Sequence, residues 1–450
     1  RDFCLSRGLG DVYKRQMYKY IDKFFSVSET GSTIRTEIIA GATTFLAMSY
    51  IVVVNPAILS QAGMDFGAVF VATCLAAAVG CILMGVIANY PIGLAPGMGQ
   101  NAFFTYGIVL GSGHSWQAAL GAVFISGLLF ILISVLPIRS WIINAIPKNL
   151  KIGISAGIGL FIAFIALKNA GIVVANPATL VAFGDLTQFS SVMALIGLFL
   201  IAALVSSGFK GAIIVGMISV SIAGWLVGDA EFKGILASPP SVESVFLQMD
   251  IAAAFELSML SVILTLLLVD VFDTAGTLVG VTNRAKLLDE NGKLPRIGKA
   301  LLADSGATAA GAMFGTSSTT CFIESASGVE SGGRTGLTAV TVALLFLLCL
   351  ILSPLAQSVP AYATAGALLF VSAAMAQGLV DLDWSEPMEY TPAVLTAISM
   401  PLSFSIANGI GIGFISYAVI KAIRMRPREC PIAVYIVATV FALKFIFLGS

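Results

Sequence analysis

Pro91-Ile-Gly-Leu-Ala-Pro-Gly-Met-Gly-Gln-Asn101 interrupts one apolar run of the chain, and Gly315-Thr-Ser-Ser-Thr-Thr-Cys-Phe-Ile-Glu324 interrupts another. Proline and glycine at the density of the first segment are incompatible with a regular helix, and the glycine and hydroxyl residues of the second favour extended backbone. At membrane depth, such backbone is tolerated only where it lines a cavity or is buried in protein. The two segments therefore predict a pair of broken membrane spans, with a purely structural role as the alternative.

The whole chain has the composition of an integral membrane protein. Of its 450 residues, 58% are hydrophobic and 11% are charged, whereas a soluble domain is about 45–50% apolar and about 25% charged. The formal net charge of zero argues against nucleic acid as a partner. Six scattered cysteines and one histidine, His114, predict no disulfide framework and no metal site. We therefore expect a protein of the lipid bilayer that is not an enzyme and has no cofactor.

Apolar runs long enough to cross a bilayer recur along the chain. They predict about fourteen spans, near 37–59, 66–88, 92–110, 116–137, 152–174, 188–206, 210–228, 256–282, 298–314, 316–332, 336–356, 361–380, 391–407 and 408–424. A last apolar segment at 431–449 either crosses the bilayer or lies along it. Residues 1–16 precede a start at Met17, and we interpret them as a non-native or disordered leader.

Basic loops fix the expected orientation, because short loops rich in lysine and arginine stay in the cytoplasm. All of them fall on one side if the N-terminus is cytoplasmic, which predicts a multi-pass protein of a bacterial inner membrane. The residues are Lys19, Lys23, Arg35, Arg139, Lys148, Lys151, Lys210, Arg284, Lys286, Lys293, Arg296, Lys299, Lys421, Arg424, Arg426 and Arg428. The acidic loop 381–390 disagrees with this pattern, but acidic residues contribute little to the rule.

Seven spans followed by seven more predict an internal duplication, and an odd number of spans requires the two halves to be inverted. We place the first repeat at 17–229, the second at 251–424 and a C-terminal helix at 425–450. Both interrupted segments follow a span that has two glycines five residues apart. Inverted repeats with broken helices in matching positions are typical of secondary transporters, whose site lies at the bilayer midplane.

Three carboxyl groups are the candidate functional residues. Asp270 and Asp273 lie three residues apart on one helical face of the eighth span, and Glu324 lies in the tenth. Carboxyl groups in a membrane are costly and usually face a cavity. An ionised carboxyl only accepts hydrogen bonds, whereas a protonated one also donates, so these three groups predict coupling to protons rather than Na⁺. Asp304 in the ninth span is interpreted instead as a structural partner of a helix end.

At these same residues the chain resembles the AzgA-like purine permeases of the nucleobase:cation symporter-2 group, which carry adenine, guanine or hypoxanthine. The resemblance runs from Met17 to near the C-terminus. The matching stretches are Thr36-Glu-Ile-Ile-Ala-Gly-Ala-Thr-Thr-Phe-Leu-Ala-Met-Ser-Tyr50, Ala95-Pro-Gly-Met-Gly-Gln-Asn-Ala-Phe-Phe104, Val269-Asp-Val-Phe-Asp-Thr-Ala-Gly-Thr-Leu278, Gly315-Thr-Ser-Ser-Thr-Thr320, Glu324-Ser-Ala-Ser-Gly-Val329 and Gly332-Gly-Arg-Thr-Gly-Leu-Thr338. Gln100 departs from the family pattern, which has a small or aliphatic residue before the asparagine.

The resemblance implies an all-α fold of seven plus seven spans with a core domain and a gate domain, and a short strand followed by a half-helix in the third and tenth spans. It implies a purine site at which the permease imports its substrate by proton symport, and such a fold leads us to expect a homodimer. The predicted substrate-binding residues are Asp273, Glu324, Asn101, Ser318, Thr319 and Gly99. An anion transporter of the same fold and a passive nucleobase channel remain the alternatives.

Overall fold

The computed structural model of the protein describes residues 16, 18–136, 147–285, 287, 294–424 and 430–447. Apart from Gln16, the predicted leader lies outside the described residues. The same is true of parts of the C-terminal segment, at 425–429 and 448–450. Five basic residues used for the orientation also lie outside them, namely Arg139, Lys286, Lys293, Arg426 and Arg428.

The regular secondary structure of the described residues consists of α-helices, a few short 3-10 and π-helical segments and two short sheets. The α-helices are, in chain order, α1 (Ile34–Met48), α2 (Ile51–Leu59), α3 (Phe66–Leu83), α4 (Met98–Ala102), α5 (Trp116–Val135), α6 (Lys148–Asn169), α7 (Phe189–Ser206), α8 (Ala212–Val227), α9 (Ile251–Ala254), α10 (Leu257–Arg284), α11 (Ile297–Phe314), α12 (Ser325–Glu330), α13 (Gly336–Cys349), α14 (Ser353–Gln357), α15 (Ala361–Ala376), α16 (Pro387–Ser403), α17 (Ile406–Ile423) and α18 (Ile432–Phe447). The strands are β1 (Leu94–Pro96), β2 (Val173–Asn176), β3 (Leu180–Phe183) and β4 (Thr319–Cys321).

Nine helical stretches within the described residues are long and apolar enough to cross a membrane, which confirms a multi-pass membrane protein. They match the predicted spans one, two, four, five, six, eight, eleven, twelve and fourteen. The other five predicted spans correspond to shorter or less apolar elements. Spans seven, nine and thirteen are α8, α11 and α16, while spans three and ten are the broken ones.

The helices pack into two bundles. Helices α1–α5 and α10–α14 contact one another and form the core domain, whereas α6–α8 and α15–α18 form the gate domain. Each domain therefore draws on both halves of the chain, which confirms the predicted core-and-gate fold. Close helix packing within the domains depends on glycine, because a Cβ at Gly153 of α6 would lie 2.5 Å from the carbonyl oxygen of Ala393 in α16.

The two broken spans meet in the core domain as an antiparallel pair of strands. Strand β1 pairs with β4 in the register Leu94–Cys321, Ala95–Thr320 and Pro96–Thr319. The pairing continues beyond the strands, where the amide of Gly97 donates to the Ser318 carbonyl oxygen at 2.9 Å. Because the interrupted backbone cannot bond to water inside the bilayer, this pairing satisfies groups that would otherwise cost several kcal/mol each. The predicted strand in each broken span is confirmed.

A partly buried ion pair accounts for Glu389, one of the acidic residues of the loop 381–390 that disagreed with the charge pattern. Lys421 of α17 lies 2.8 Å from Glu389 of α16, and their side chains are 6% and 20% exposed. Tyr417 and Asn149 also donate to the Glu389 carboxylate, at 3.1 and 3.3 Å. Glu389 therefore joins three helices of the gate domain instead of serving as a loop charge.

Replacing Lys421 by methionine would leave Glu389 partly buried without its cation, so we expect the free energy of unfolding to fall by about 2–3 kcal/mol. The measurement is the thermal unfolding midpoint of the detergent-purified protein. The double variant Lys421→Met/Glu389→Gln recovers most of the loss, and Asp381→Asn in the exposed part of the loop serves as the control. Equal midpoints for Lys421→Met and the wild type would contradict a stabilising role of the pair.

Candidate functional site

A cavity lies between the core and gate domains beside the paired strands. Its inner part has a volume of about 90 Å³ and is lined by residues of both domains, namely Tyr50, Gly97, Met98, Gly99, Asp273, Thr277, Thr320, Cys321, Phe322, Ile323, Glu324, Val371 and Met375. An adjoining vestibule of about 260 Å³ shares part of this wall, including Asp273 and Gly99, and extends to Lys151 in the first turn of α6. The cavity is thus sized for a small ligand and reaches the end of the molecule that we predict to be cytoplasmic.

The broken spans place two helix starts at this cavity. Met98 and Gly99 form the first turn of α4, directly after β1, and Glu324 directly precedes α12. The first turn of α4 has backbone N–H groups without partners in the helix, and these groups can bind a ligand. The first N–H groups of α12, from Ser325 to Ser327, instead donate to the carbonyl oxygens of Phe322, Ile323 and Glu324. Gly99 also permits close contact between the domains, because a Cβ there would lie 2.7 Å from Cγ2 of Ile158 in the gate domain.

Glu324 is held by a tyrosine from the first span. The Tyr50 hydroxyl donates to Glu324 Oε1 at 2.7 Å, and Tyr50 itself is 1% exposed. Tyr50 reaches the cavity because the first span breaks between α1 and α2, at Ser49 and Tyr50. Sequence reasoning missed Tyr50, since it lies 274 positions from its partner.

Asp273 lines both parts of the cavity. Among the described residues it forms no salt bridge that would make it a structural charge. Thr320 of β4 donates to Asp273 Oδ2 at 3.4 Å. Asp273 and Glu324 therefore lie on one cavity wall, as expected for two residues that bind the same ligand. Their roles in substrate binding stay predictions.

Asp270 lies behind this wall and is fully buried. Its Oδ2 atom lies 3.0 Å from the Thr308 hydroxyl, which also lies 2.8 Å from the carbonyl oxygen of Thr319. A threonine hydroxyl has one hydrogen, so both contacts are hydrogen bonds at the same time only when Asp270 carries a proton and donates it. This geometry makes Asp270 a group whose hydrogen bonding depends on its protonation state.

Asp304 was expected to bind a helix end, and the structure corrects this interpretation. It is fully buried in α11, where its Oδ2 accepts from the Thr274 hydroxyl of α10 at 2.7 Å and its Oδ1 accepts from the Cys321 thiol at 3.5 Å. Cys321 lines the inner cavity and Thr274 contacts Thr320 of the same wall, so neither partner lies at a helix end. Both are within reach because α11 packs directly against β4. Asp304 thus belongs to the same polar cluster as Asp270 and Asp273.

Comparison with known proteins decides the family. The model of a permease family, Xan_ur_permease, matches residues 35–412. The chain belongs to this permease family. Its relatives include the adenine permease AdeP of Escherichia coli, 49% identical over 430 residues, which covers 96% of this chain and 97% of AdeP. The guanine/hypoxanthine permease PbuO of Bacillus subtilis is 44% identical over 432 residues, an alignment that covers 94% of this chain and 100% of PbuO. The resemblance to AzgA-like purine permeases, and the conclusion that the protein is a transporter and no enzyme, are confirmed.

Solved structures show the same fold in more distant transporters. The transmembrane domain of the cyanobacterial bicarbonate transporter BicA superposes with a TM-score of 0.62 at 16% identity, covering 83% of this permease and 96% of that domain. SLC26A9 gives a TM-score of 0.62 at 10% identity, covering 92% of this permease and 70% of that chain. These likenesses concern the fold alone.

Three of the predicted binding residues do not line the cavity of the permease. Asn101, Ser318 and Thr319 are fully buried beside the strand pair, and the Asn101 side chain accepts a hydrogen bond from Ser317. Side-chain atoms of all three, namely Asn101 Nδ2, Ser318 Oγ and Thr319 Oγ1, have no hydrogen-bond partner within the described part of the chain. Their place directly behind the wall keeps them as predicted parts of the site.

Two further residues, which the sequence did not predict as binding residues, line the vestibule of the permease. Gln100 lines the vestibule, and its side-chain amide interacts with the Asp273 carboxyl group, although the contact does not have the geometry of an ordinary hydrogen bond. Lys151 places its ammonium group 5.6 Å from the ring centre of Phe272 at the same vestibule. By contrast, Phe103, Phe104 and Tyr106, which could have stacked on a flat ligand, are buried outside the cavity wall.

The vestibule predicts which introduced thiols a water-soluble reagent reaches. Ser155 of α6 lines the vestibule and is exposed, whereas Ser126 of α5 is fully buried. In a Cys4→Ser background, in which the five described cysteines are buried, we expect Ser155→Cys to react with a membrane-impermeant maleimide at least about tenfold faster than Ser126→Cys. Labelling in inside-out vesicles but not in intact cells places the vestibule on the cytoplasmic side. Equal labelling rates of the two variants would contradict a water-filled vestibule.

Proposed function

We propose that this permease imports purine nucleobases in symport with protons, and that Asp273 and Glu324 bind the base. The observation that carries the proposal is the position of both carboxyl groups on one wall of a small cavity, beside the first turn of α4. A purine base is flat and uncharged and has N–H donors next to ring-nitrogen acceptors along its edges. Carboxylates accept from the donors, while backbone N–H groups donate to the acceptors.

The environment of Glu324 suits such a ligand. Tyr50 occupies one carboxylate oxygen, Oε1, and fixes the orientation of the group. The other oxygen remains for a ligand that enters the inner cavity, which Glu324 lines. The apolar remainder of the wall, including Met98, Phe322 and Met375, suits the faces of a flat ring.

The relatives support a purine rather than another base, because their names specify adenine in one case and guanine or hypoxanthine in another. A bicarbonate-type anion is less compatible with this site, although the fold is shared with BicA. An anion in the inner cavity would face two carboxyl groups, Asp273 and Glu324. The negative charge of the anion and those of the ionised carboxyl groups would repel each other strongly in a small cavity where water is excluded.

Proton coupling follows from the chemistry of the carboxyl groups. Asp270, Asp273 and Glu324 change from hydrogen-bond acceptors to donors when they gain a proton. A base that needs a donor at the cavity wall therefore binds together with a proton. Movement of the core domain against the gate domain would then expose the cavity alternately to the two sides. We further propose that the N-terminus is cytoplasmic and that the permease resides in a bacterial inner membrane, in accord with its basic loops.

The first test is uptake of labelled adenine, guanine, hypoxanthine and uracil into a bacterium that lacks purine uptake. Wild type is compared with Glu324→Gln and Asp273→Asn, with and without a protonophore. We expect purine uptake that the protonophore abolishes and that each variant lowers roughly 10- to 100-fold, the effect of one hydrogen bond to a charged group. Uptake of none of the four bases by well-expressed protein would refute the purine proposal. Purine uptake that is unaffected by the protonophore would instead indicate Na⁺ coupling or a passive channel.

The tyrosine at the site gives a second test. Tyr50→Phe keeps the ring but removes the hydroxyl that bonds Glu324, so we expect the KM for the transported purine to rise about fivefold to tenfold. The matched control is Tyr106→Phe, because Tyr106 is also buried but bonds Gln61 away from the cavity. A KM unchanged in Tyr50→Phe, or raised equally in Tyr106→Phe, would contradict a specific role of the Tyr50 hydroxyl.

A further inference from the structure

Two threonine hydroxyls connect the cavity acid Asp273 with the buried acid Asp304. Thr274 Oγ1 lies 2.7 Å from Asp304 Oδ2 and 3.0 Å from Thr320 Oγ1, and Thr320 Oγ1 lies 3.4 Å from Asp273 Oδ2. The chain of contacts thus runs from the cavity wall, where Asp273 and Thr320 lie, into the interior of the core domain. Its inner part is closed to water, because Thr274 and Asp304 are fully buried.

The available hydrogens can be arranged along these three contacts in two ways. Each threonine has one hydroxyl hydrogen, so each donates one hydrogen bond and accepts another. If Asp304 is ionised, all three bonds form only when Asp273 is protonated and every hydrogen points towards Asp304. If Asp304 carries the proton instead, all three hydrogens point towards Asp273. The two states have the same number of hydrogen bonds and the same total charge.

We propose that Thr274 and Thr320 form a hydroxyl relay that passes a proton between Asp304 and Asp273, so that Asp304 stores the coupling proton out of reach of the substrate cavity. The proposal rests on the proton symport proposed above. It assigns to Asp304 a function other than packing, and to the two threonines a function that their neutral side chains do not suggest.

The transfer is balanced at every atom. The proton on Asp304 Oδ2 moves to Thr274 Oγ1, the hydroxyl hydrogen of Thr274 moves to Thr320 Oγ1, and that of Thr320 moves to Asp273 Oδ2. Each threonine ends neutral with one hydrogen, Asp304 becomes a carboxylate and Asp273 becomes a neutral acid. No oxidant, reductant or further reactant is required, and the reverse transfer follows the same path.

The surroundings of Asp304 suit a proton store. The ionisable side chains nearest to it are the carboxyl groups of Asp270 and Asp273 from α10 and the thiol of Cys321 from β4. Of the two long helices that pack against α11, α5 contributes no ionisable side chain and α3 contributes only the thiols of Cys74 and Cys81. Protons therefore reach Asp304 most directly along the relay. A proton that returns to Asp273 converts this side chain from an acceptor into a donor at the cavity wall, which alters its bonding to the substrate.

The test separates proton movement from substrate movement. Proteoliposomes containing the full chain are assayed with labelled adenine and, in parallel, labelled hypoxanthine. One assay measures accumulation driven by an imposed pH gradient, and the other measures exchange of external labelled base for internal unlabelled base, which needs no net proton transfer. Thr274→Val keeps the shape of the side chain without its hydroxyl. We expect it to lower accumulation at least about 100-fold, the smallest effect typical of a lost proton-transfer group, and to leave exchange within about twofold of wild type.

Three further variants make the result specific. Thr274→Ser, which keeps the hydroxyl, is expected to restore accumulation. Thr320→Val is also expected to lower accumulation, and because Thr320 lines the cavity its exchange is expected to fall as well. The matched control is Thr265→Val, because Thr265 is also fully buried in α10 but donates only to its own helix, at Ser261. Accumulation as in wild type for Thr274→Val, or accumulation and exchange lost together while Thr265→Val is normal, would overturn the relay. Wild-type uptake without a pH-gradient requirement would refute the proton symport itself, which is a separate outcome.

Discussion

The constraint on which the rest of the structure depends is the burial of most of the two interrupted segments inside the protein, away from water. Their backbone groups must find partners within the protein, and they find them in each other, through the antiparallel pair of β1 and β4. This pairing brings together segments that are far apart in the sequence. It also fixes where α4 and α12 begin, and hence where Gly99 and Glu324 meet the cavity. The position of the site is therefore determined by the strand pairing that satisfies the interrupted backbone.

The same shortage of water shapes the acidic cluster. Asp270, Asp273 and Asp304 lie within one polar region of the core domain, and their hydrogen-bond partners there are hydroxyl and thiol groups rather than cations. Hydroxyl groups adapt to a carboxyl in either protonation state, whereas a lysine or arginine favours the ionised state alone. A cluster built in this way accommodates changes of protonation, as a proton-coupled transporter requires. A structural salt bridge, such as Lys421–Glu389 in the gate domain, instead keeps its carboxyl group ionised.

The domain boundary divides the molecule by function as well as by packing. The core domain supplies the carboxyl groups and the paired strands, while the gate domain supplies Lys151, Ile158 and Met375 as the facing wall. Contacts across this boundary are few compared with those within each bundle. Gly99 against Ile158 is one of them, and its close approach depends on the missing side chain of glycine. A boundary of this kind allows one domain to move against the other without loss of internal packing.

The sequence by itself determined the membrane class, the two broken spans, the carboxyl groups and the family, because each depends on composition or on residues close together in the chain. The tertiary structure alone decided which side chains meet. Tyr50 and Glu324 are 274 positions apart, and Thr274 and Thr320 are 46 apart, so no local pattern connects them. The interpretation of Asp304 as the partner of a helix end was wrong for the same reason. Its partners lie on α10 and β4, and only the packing of α11 against the strand pair brings them within hydrogen-bond distance.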